Sequence, residues 1–224
     1  MSRFADRDDA GRALVGPVAA LGLERPVLVG LARGGVPVAA ALAAGLGGAG
    51  RGTGGLEIAV AVARKVTRPG APEAGLGAVA AEGEPVWFSA ALEQQGLSPD
   101  GLVDEVAAAR EEVRRREAAW VTDRRDTDWR AVVGGRDVVL VDDGVATGVT
   151  AHAALLALAT RGPRRLVLAT PVIAAASRRR LAHEWGGEIV AAAAPEDFDA
   201  VASSYDDFHQ LTDDDVTVAL APRG

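Results

Sequence analysis

The sequence predicts an α/β fold, a parallel twisted sheet flanked by helices and contained in one domain over residues 1–224. Three observations lead there. Short apolar runs alternate with helix-like segments, hydrophobic residues make up 49% of the chain while aromatics supply only 4%, and cysteine is absent. Strands separated by helices need crossover connections, which makes the strands parallel. Scarce aromatics mean a core of Ala, Val and Leu. Without cysteine there are no disulfides, thiolate zinc sites or cysteine nucleophiles.

Taken in order, Asp8 or Asp9 is positioned to cap a helix that runs to about Leu21 and stops at Gly22. Pro26–Leu31 is a short buried strand, Arg33-Gly34-Gly35 a turn, and Val36 to about Leu46 an alanine-rich helix. Gly45–Gly55 is a glycine-rich loop, and Leu56–Ala63 is a second strand ending at Arg64-Lys65. Residues 66–78 are rich in Pro, Gly and small side chains with no periodic apolar face, which predicts a mobile loop. Glu84–Ser89 suits an edge strand or a hairpin arm. Ser98-Pro99 opens a long polar helix to about Val121, with Glu111/Arg115 and Glu112/Arg116 four apart. Beyond it, strands at Asp137–Val141, Arg165–Thr170 and Glu188–Ala193 alternate with helices at Val149–Arg161 and Ala174–Trp185. Residues 195–224 break the rhythm and form a small C-terminal hood; Asp213–Asp215 reads as a helix start and Arg178–Arg180 as a solvated helix face.

Charge narrows the function. A net charge of −7 disfavours a general nucleic-acid binder, which needs surplus Lys and Arg, but allows a small anionic ligand held by local amides and a few cations. The charged N-terminus lacks a secretory apolar core, and no run approaches the roughly 20 apolar residues that span a bilayer, so the expectation is a soluble cytoplasmic protein with no membrane partner. Gly45–Gly50 fits GxGxxG only formally, because it follows a helix where the dinucleotide fingerprint follows a strand.

Val138 to Thr150 carries the chemistry. An apolar strand ends in two adjacent carboxylates, Asp142 and Asp143, where open α/β sheets bind ligands. The following turn, Ala146-Thr147-Gly148-Val149-Thr150, opens a helix whose free amides and dipole favour a dianionic phosphate, with two threonine hydroxyls beside them.

This run resembles the signature of the type I phosphoribosyltransferases at every position. The resemblance implies a core of that type and 5-phosphoribosyl-1-pyrophosphate (PRPP) as donor. Asp142 and Asp143 would hold the ribose hydroxyls and Ala146 through Thr150 the 5′-phosphate. Leu31-Ala32-Arg33-Gly34-Gly35-Val36-Pro37 resembles the family's pyrophosphate loop, where the resemblance implies an often strained, sometimes cis, non-proline peptide at Arg33–Gly34. Arg64-Lys65, followed by Pro69-Gly70-Ala71-Pro72-Glu73 and Gly77-Ala78, is similar to a little-characterised subgroup, as is Tyr205-Asp-Asp-Phe208. There Arg33, Gly34, Gly35, Arg64 and Lys65 would meet the pyrophosphate, with Asp142, Asp143, Lys65 and Arg33 as catalytic residues. Phe198, Tyr205 and Phe208 would line the acceptor hood. Glu73, in the mobile loop, is a candidate acid–base group.

The implied reaction transfers phosphoribosyl to a nucleobase-like acceptor with release of pyrophosphate. Mg2+ is the cofactor, held mainly through the substrate, and a homo-oligomer accords with the family. The alternative is a non-catalytic regulator that binds PRPP or a nucleotide on the same fold. Ala32 replaces the subgroup's usual Pro, and Ala202 and Ser204 stand near its Gly and Trp, which leaves acceptor identity open.

Overall fold

In the structure, a computed structural model that describes residues 3–47, 56–68, 70–120 and 129–221, each of the five apolar runs forms a strand of one parallel sheet. The strands are β1 (Val27–Leu31), β2 (Ile58–Ala61), β6 (Asp137–Val141), β7 (Arg165–Val172) and β8 (Glu188–Ala193), ordered β2-β1-β6-β7-β8. Side-chain alternation divides two cores. Val29 of β1 and Val138 and Leu140 of β6 face Ala151, Leu155 and Leu158 of α7 (Val149–Ala159). Leu28, Val139 and Val141 face Leu14, Val18, Val38 and Leu42, supplied by α1 (Arg7–Ala13), α2 (Val15–Ala19), the linking residue Leu14 and α3 (Gly35–Gly45). Each fully buried Val or Leu there contributes roughly 1.5–3 kcal/mol of hydrophobic stabilisation.

This strand order fixes where a ligand can sit. The chain leaves β1 through α3 toward β2 on one side and leaves β6 through α7 toward β7 on the other. β1 and β6 are neighbours, with Gly30 opposite Val141, so the loops after them diverge and open a crevice at the switch point. Those loops are Ala32–Gly34 and Asp142–Gly148, the two stretches singled out from sequence.

Several local predictions need correction. The first helix is capped by Asp6, whose Oδ1 accepts from the Asp9 amide at 2.7 Å; Asp8 and Asp9 lie in the first turn, where negative charge suits the helix dipole. That helix breaks at Leu14 into α1 and α2. Residues 66–78, predicted as a loop, belong largely to an antiparallel sheet of β3 (Ala63–Arg68), β4 (Ala71–Ala80) and β5 (Val86–Trp87). One face packs Val66 and Val79 against Ala109 of α5 (Val103–Trp120), and the other packs Ala78 against Val149 and Ala153 of α7. The close approach of β5 also requires a glycine: a Cβ at Gly77 would lie 2.4 Å from the Val86 carbonyl oxygen.

The hairpin arm expected at Glu84–Ser89 is β5, and an unforeseen helix, α4 (Ser89–Gln95), follows. The long polar helix opens as a 3-10 turn at Pro99–Leu102 before α5. On α5, Glu112 takes both Arg115 and Arg116, at 2.8 and 2.7 Å, and Glu111 pairs with Arg114 at 3.3 Å in place of Arg115. Much of the predicted glycine-rich loop (48–55), residue 69 and Val121 lie outside the described residues. After the short α6 (Trp129–Val133) the alternating pattern resumes as predicted, with α8 (Ala175–Glu184) between β7 and β8.

The hood is built from both ends of the chain. Phe4 and Tyr205 form a bridge, with the Phe4 amide donating to the Ser204 carbonyl at 2.9 Å and the Asp206 amide to the Phe4 carbonyl at 2.8 Å. Asp213–Asp215 does begin a helix, α9 (Asp213–Leu220), closed by a capping box between Thr212 and Asp215. Among the described residues, no helix is long and apolar enough to cross a membrane.

Candidate active site

Asp142 and Asp143 stand at the C-terminal end of β6, and each meets a different environment. The Asp143 Oδ2 accepts from the Arg7 Nε at 2.9 Å, in a pair whose side chains are only 14% and 9% exposed. Arg7 is fixed further by donating to the His209 carbonyl at 3.1 Å and by stacking 4.0 Å above the Phe208 ring. Asp142 accepts from the Asp143 amide at 3.0 Å, and among the described residues no cation pairs with it. Burial first, then the neighbouring Asp143 charge, push the Asp142 carboxyl well above the ordinary carboxylate range. Burial raises Asp143 as well, but the Arg7 guanidinium opposes it, so Asp142 is the more readily protonated of the two.

The Arg33-Gly34-Gly35 turn presses directly on this pair. A Cβ at Gly34 would lie 1.8 Å from Asp143 Oδ2, and one at Gly35 would lie 2.1 Å from the Val141 carbonyl oxygen. These glycines exist because two loops share the space one would normally fill. The cis peptide of this turn is Ala32–Arg33, one bond ahead of the Arg33–Gly34 position suggested by resemblance. Arg33 is partly exposed and lies 3.7 Å from Asp213 at the start of α9.

Beyond the acids, Gly148 adopts a left-handed conformation (φ 69°) as the N-cap of α7, and no side chain caps that helix. The first α7 amide bonded within this turn is that of His152, to the Gly148 carbonyl at 2.8 Å, so the amides ahead of it remain at the helix start. Ala146, Thr147, Gly148, Val149 and Thr150 are therefore brought together as an amide-rich turn, with Thr147 exposed. α8 braces the turn: Ser177 Oγ donates to the Ala146 carbonyl at 2.5 Å and the Arg180 guanidinium donates to the Thr147 carbonyl. The sequence places Arg180 on a solvated face, yet its side chain reaches the turn and lies 5.8 Å from the Phe88 ring centroid.

The Arg64-Lys65 pair is split by strand parity. Lys65 pairs in register with Ala78, so both side chains lie on the face that packs against Val149 and Ala153 of α7. Arg64 pairs with Val79 on the opposite face and forms an ion pair with Glu112 of α5 at 3.4 Å. Lys65 is exposed on the side of the amide-rich turn, and Arg64 is turned away. Glu73 lies on β4; its side chain is outside the described residues.

In the hood, Tyr205 is 1% exposed and donates its hydroxyl to the Asp143 carbonyl at 2.5 Å. Burial and the Asp143 charge push its phenol far above the ordinary range, so it stays a neutral donor. It packs between Phe4 and Phe208, with ring centroids at 5.6 and 4.9 Å, and Phe198 joins the same cluster. Tyr205 is thus a strut beneath the acidic loop, and only the partly exposed Phe198 and Phe208 keep surface for another molecule. The sequence reading missed Arg7. Its one signal was a cation in the first turn of a helix, where the dipole disfavours positive charge.

Comparison with known proteins accords with this arrangement. The phosphoribosyl transferase domain family matches residues 8–197. Two Mycobacterium tuberculosis proteins, from strains CDC 1551 / Oshkosh and H37Rv and both named "Putative phosphoribosyl transferase", are 35% identical over 222 residues, 98% of this chain but 47% of their own length. The chain therefore spans about half the length of the curated relatives it matches. Among solved structures, TT1426 from Thermus thermophilus is 44% identical with a TM-score of 0.74, covering 97% of each chain. A Neisseria gonorrhoeae hypothetical protein, solved with bound ppGpp, shares the fold at 12% identity and a TM-score of 0.50, covering 98% of this chain and 94% of that one. With the family matched over most of its length, and with an acidic pair and an amide-rich turn at the switch point of a parallel sheet, this chain belongs to the phosphoribosyl transferase family and has the type I fold.

Proposed function

We propose that the protein transfers phosphoribosyl from PRPP to a nucleobase-like acceptor and releases pyrophosphate. One observation carries this reading: the uncapped start of α7 follows two carboxylates at the end of β6, and the Arg33 loop from the neighbouring strand packs against the second of them. The amides of residues 146–150 hold the 5′-phosphate. Asp142 and the free oxygen of Asp143 accept from the ribose hydroxyls and fix the sugar. The bond from the anomeric carbon to the pyrophosphate oxygen breaks, and a bond from that carbon to an acceptor nitrogen forms. Arg33 and Lys65 stabilise charge building on the leaving pyrophosphate. Lys65 takes this role alone of the basic pair, since Arg64 faces α5. Val66 and Ala78 are packed against α5 and α7, so these strands form a fixed wall that carries Lys65.

Two carboxylates offer hard oxygen donors suited to Mg2+, too few to complete its shell, which fits an ion that arrives on the donor's pyrophosphate. When bound, Mg2+ neutralises part of the pyrophosphate charge. A second reading, binding of PRPP or a nucleotide without turnover, is favoured by one observation: Asp143 is already neutralised by Arg7.

The test incubates the protein with Mg2+, PRPP and a panel of bases and measures pyrophosphate release. Turnover with at least one base, lost in Asp142→Asn, supports transfer. Tight PRPP binding with no release from any base would assign the protein to the second reading.

A further inference from the structure

The amide-rich turn is tied from behind by one helix. Three consecutive carbonyls accept from α8 and the residue before it: Val145 O from the Ala174 amide at 2.9 Å, Ala146 O from Ser177 Oγ at 2.5 Å, and Thr147 O from the Arg180 guanidinium. Ala174, Ser177 and Arg180 are spaced three apart and share one face of the helix. In a trans peptide the C=O of one residue and the N–H of the next point in opposite directions. Holding three carbonyls toward α8 therefore turns the amides of Ala146, Thr147 and Gly148 away from it, all to the same side. Successive amides converging in this way form an anion-binding nest.

We infer that Ser177 and Arg180 are positioning residues that preorganise the phosphate nest by gripping its carbonyls. The inference rests on the transfer reading above and extends it to a helix outside the signature. Arg180 also places a partly buried cation behind the nest, and Glu184, 4.0 Å away, offsets part of its field, so the grip on the Thr147 carbonyl is its main contribution. Without these donors the 146–147 and 147–148 peptide units are free to rotate, and binding phosphate must then order them.

The ligand class this predicts is a phosphomonoester dianion, as on ribose 5-phosphate. Pyrophosphate alone, held by Arg33 and Lys65, should not depend on α8. Isothermal titration of the parent, Ser177→Ala, Arg180→Ala and Arg180→Lys with each ligand separates the two. We expect Arg180→Ala to weaken ribose 5-phosphate binding about tenfold or more and Ser177→Ala to weaken it several-fold. Arg180→Lys should restore much of the loss, and pyrophosphate affinity should stay within about twofold throughout. A merely structural defect would lower both affinities together and would not be rescued selectively by lysine; that pattern overturns the inference. Equal ribose 5-phosphate affinity in parent and Arg180→Ala also overturns it, while leaving the transfer reading intact. A parent that binds neither ligand overturns both.

Discussion

Glu117, on α5, makes the stability of this protein depend on pH in an unusual direction. Its Oε1 accepts from the Val62 amide at 3.2 Å, which helps the charged form, but burial dominates and pushes the carboxyl from 4.5 up to about 7. A carboxyl with a raised folded-state pKa favours folding most while protonated. Its contribution is complete below pH 4.5, the unfolded value, and is lost as pH climbs to about 7. At about 1.36 kcal/mol per pKa unit the full loss would be roughly 3 kcal/mol; the side chain is largely buried but keeps some solvent contact, so we expect about 2 kcal/mol. Glu117→Gln keeps an acceptor for the Val62 amide and removes the titration. Urea unfolding of both proteins from pH 4.5 to pH 8 measures this directly. The variant should gain on the parent by about 2 kcal/mol across the window, equivalent to about 4–8 °C in Tm for a chain of this size, with a plateau above pH 7.5. Stability curves that run parallel across the whole range would refute the assignment of a buried, proton-retaining carboxyl.

Three further perturbations address the site. Lys65→Ala should weaken PRPP binding about tenfold, whereas Arg64→Ala, turned toward Glu112, should change it by less than twofold; titration of PRPP into each variant decides. Gly34→Ala places a Cβ 1.8 Å from Asp143 Oδ2, so the carboxylate or the loop must move; we expect a loss of about 1–3 kcal/mol in urea unfolding and a marked loss of pyrophosphate release. Arg7→Ala leaves a buried carboxylate without its cation and should cost about 3–5 kcal/mol, while Arg7→Ala/Asp143→Asn should recover part of that loss.

The five parallel strands and the acidic pair were legible because each is a local property. Val138–Val141 is apolar at every position, as a strand buried on both faces must be, and the acids, the glycine and the helix start follow within a few residues. The β3–β4 hairpin was not legible for a physical reason. β3 is mostly polar (Arg64, Lys65, Thr67, Arg68) and β4 is mostly Ala, Gly and Val packed between α5 and α7, so neither strand shows the polar alternation that marks a half-buried strand. α4 is only seven residues long and leaves too little pattern to detect.

Residues whose role depends on orientation formed a harder class. Arg64 and Lys65 are adjacent and chemically similar, and only the pairing of Lys65 with Ala78 and Arg64 with Val79 shows that they face opposite helices. Tyr205 suggested a surface for an acceptor, but a phenol 1% exposed and bonded to the Asp143 carbonyl instead holds the acidic loop in place. Asp143 draws these cases together. It is gripped by Arg7 from the first helix, its carbonyl is held by Tyr205 from the hood, and Gly34 from the neighbouring loop makes room for its carboxylate. The signature supplies the acid, whereas its conformation is set by residues 109 to 136 positions before it and 62 after it. If that division holds, Tyr205→Phe should leave the fold intact and reduce pyrophosphate release by loosening Asp143, and Phe4→Leu, which touches the same cluster without the hydrogen bond, should not.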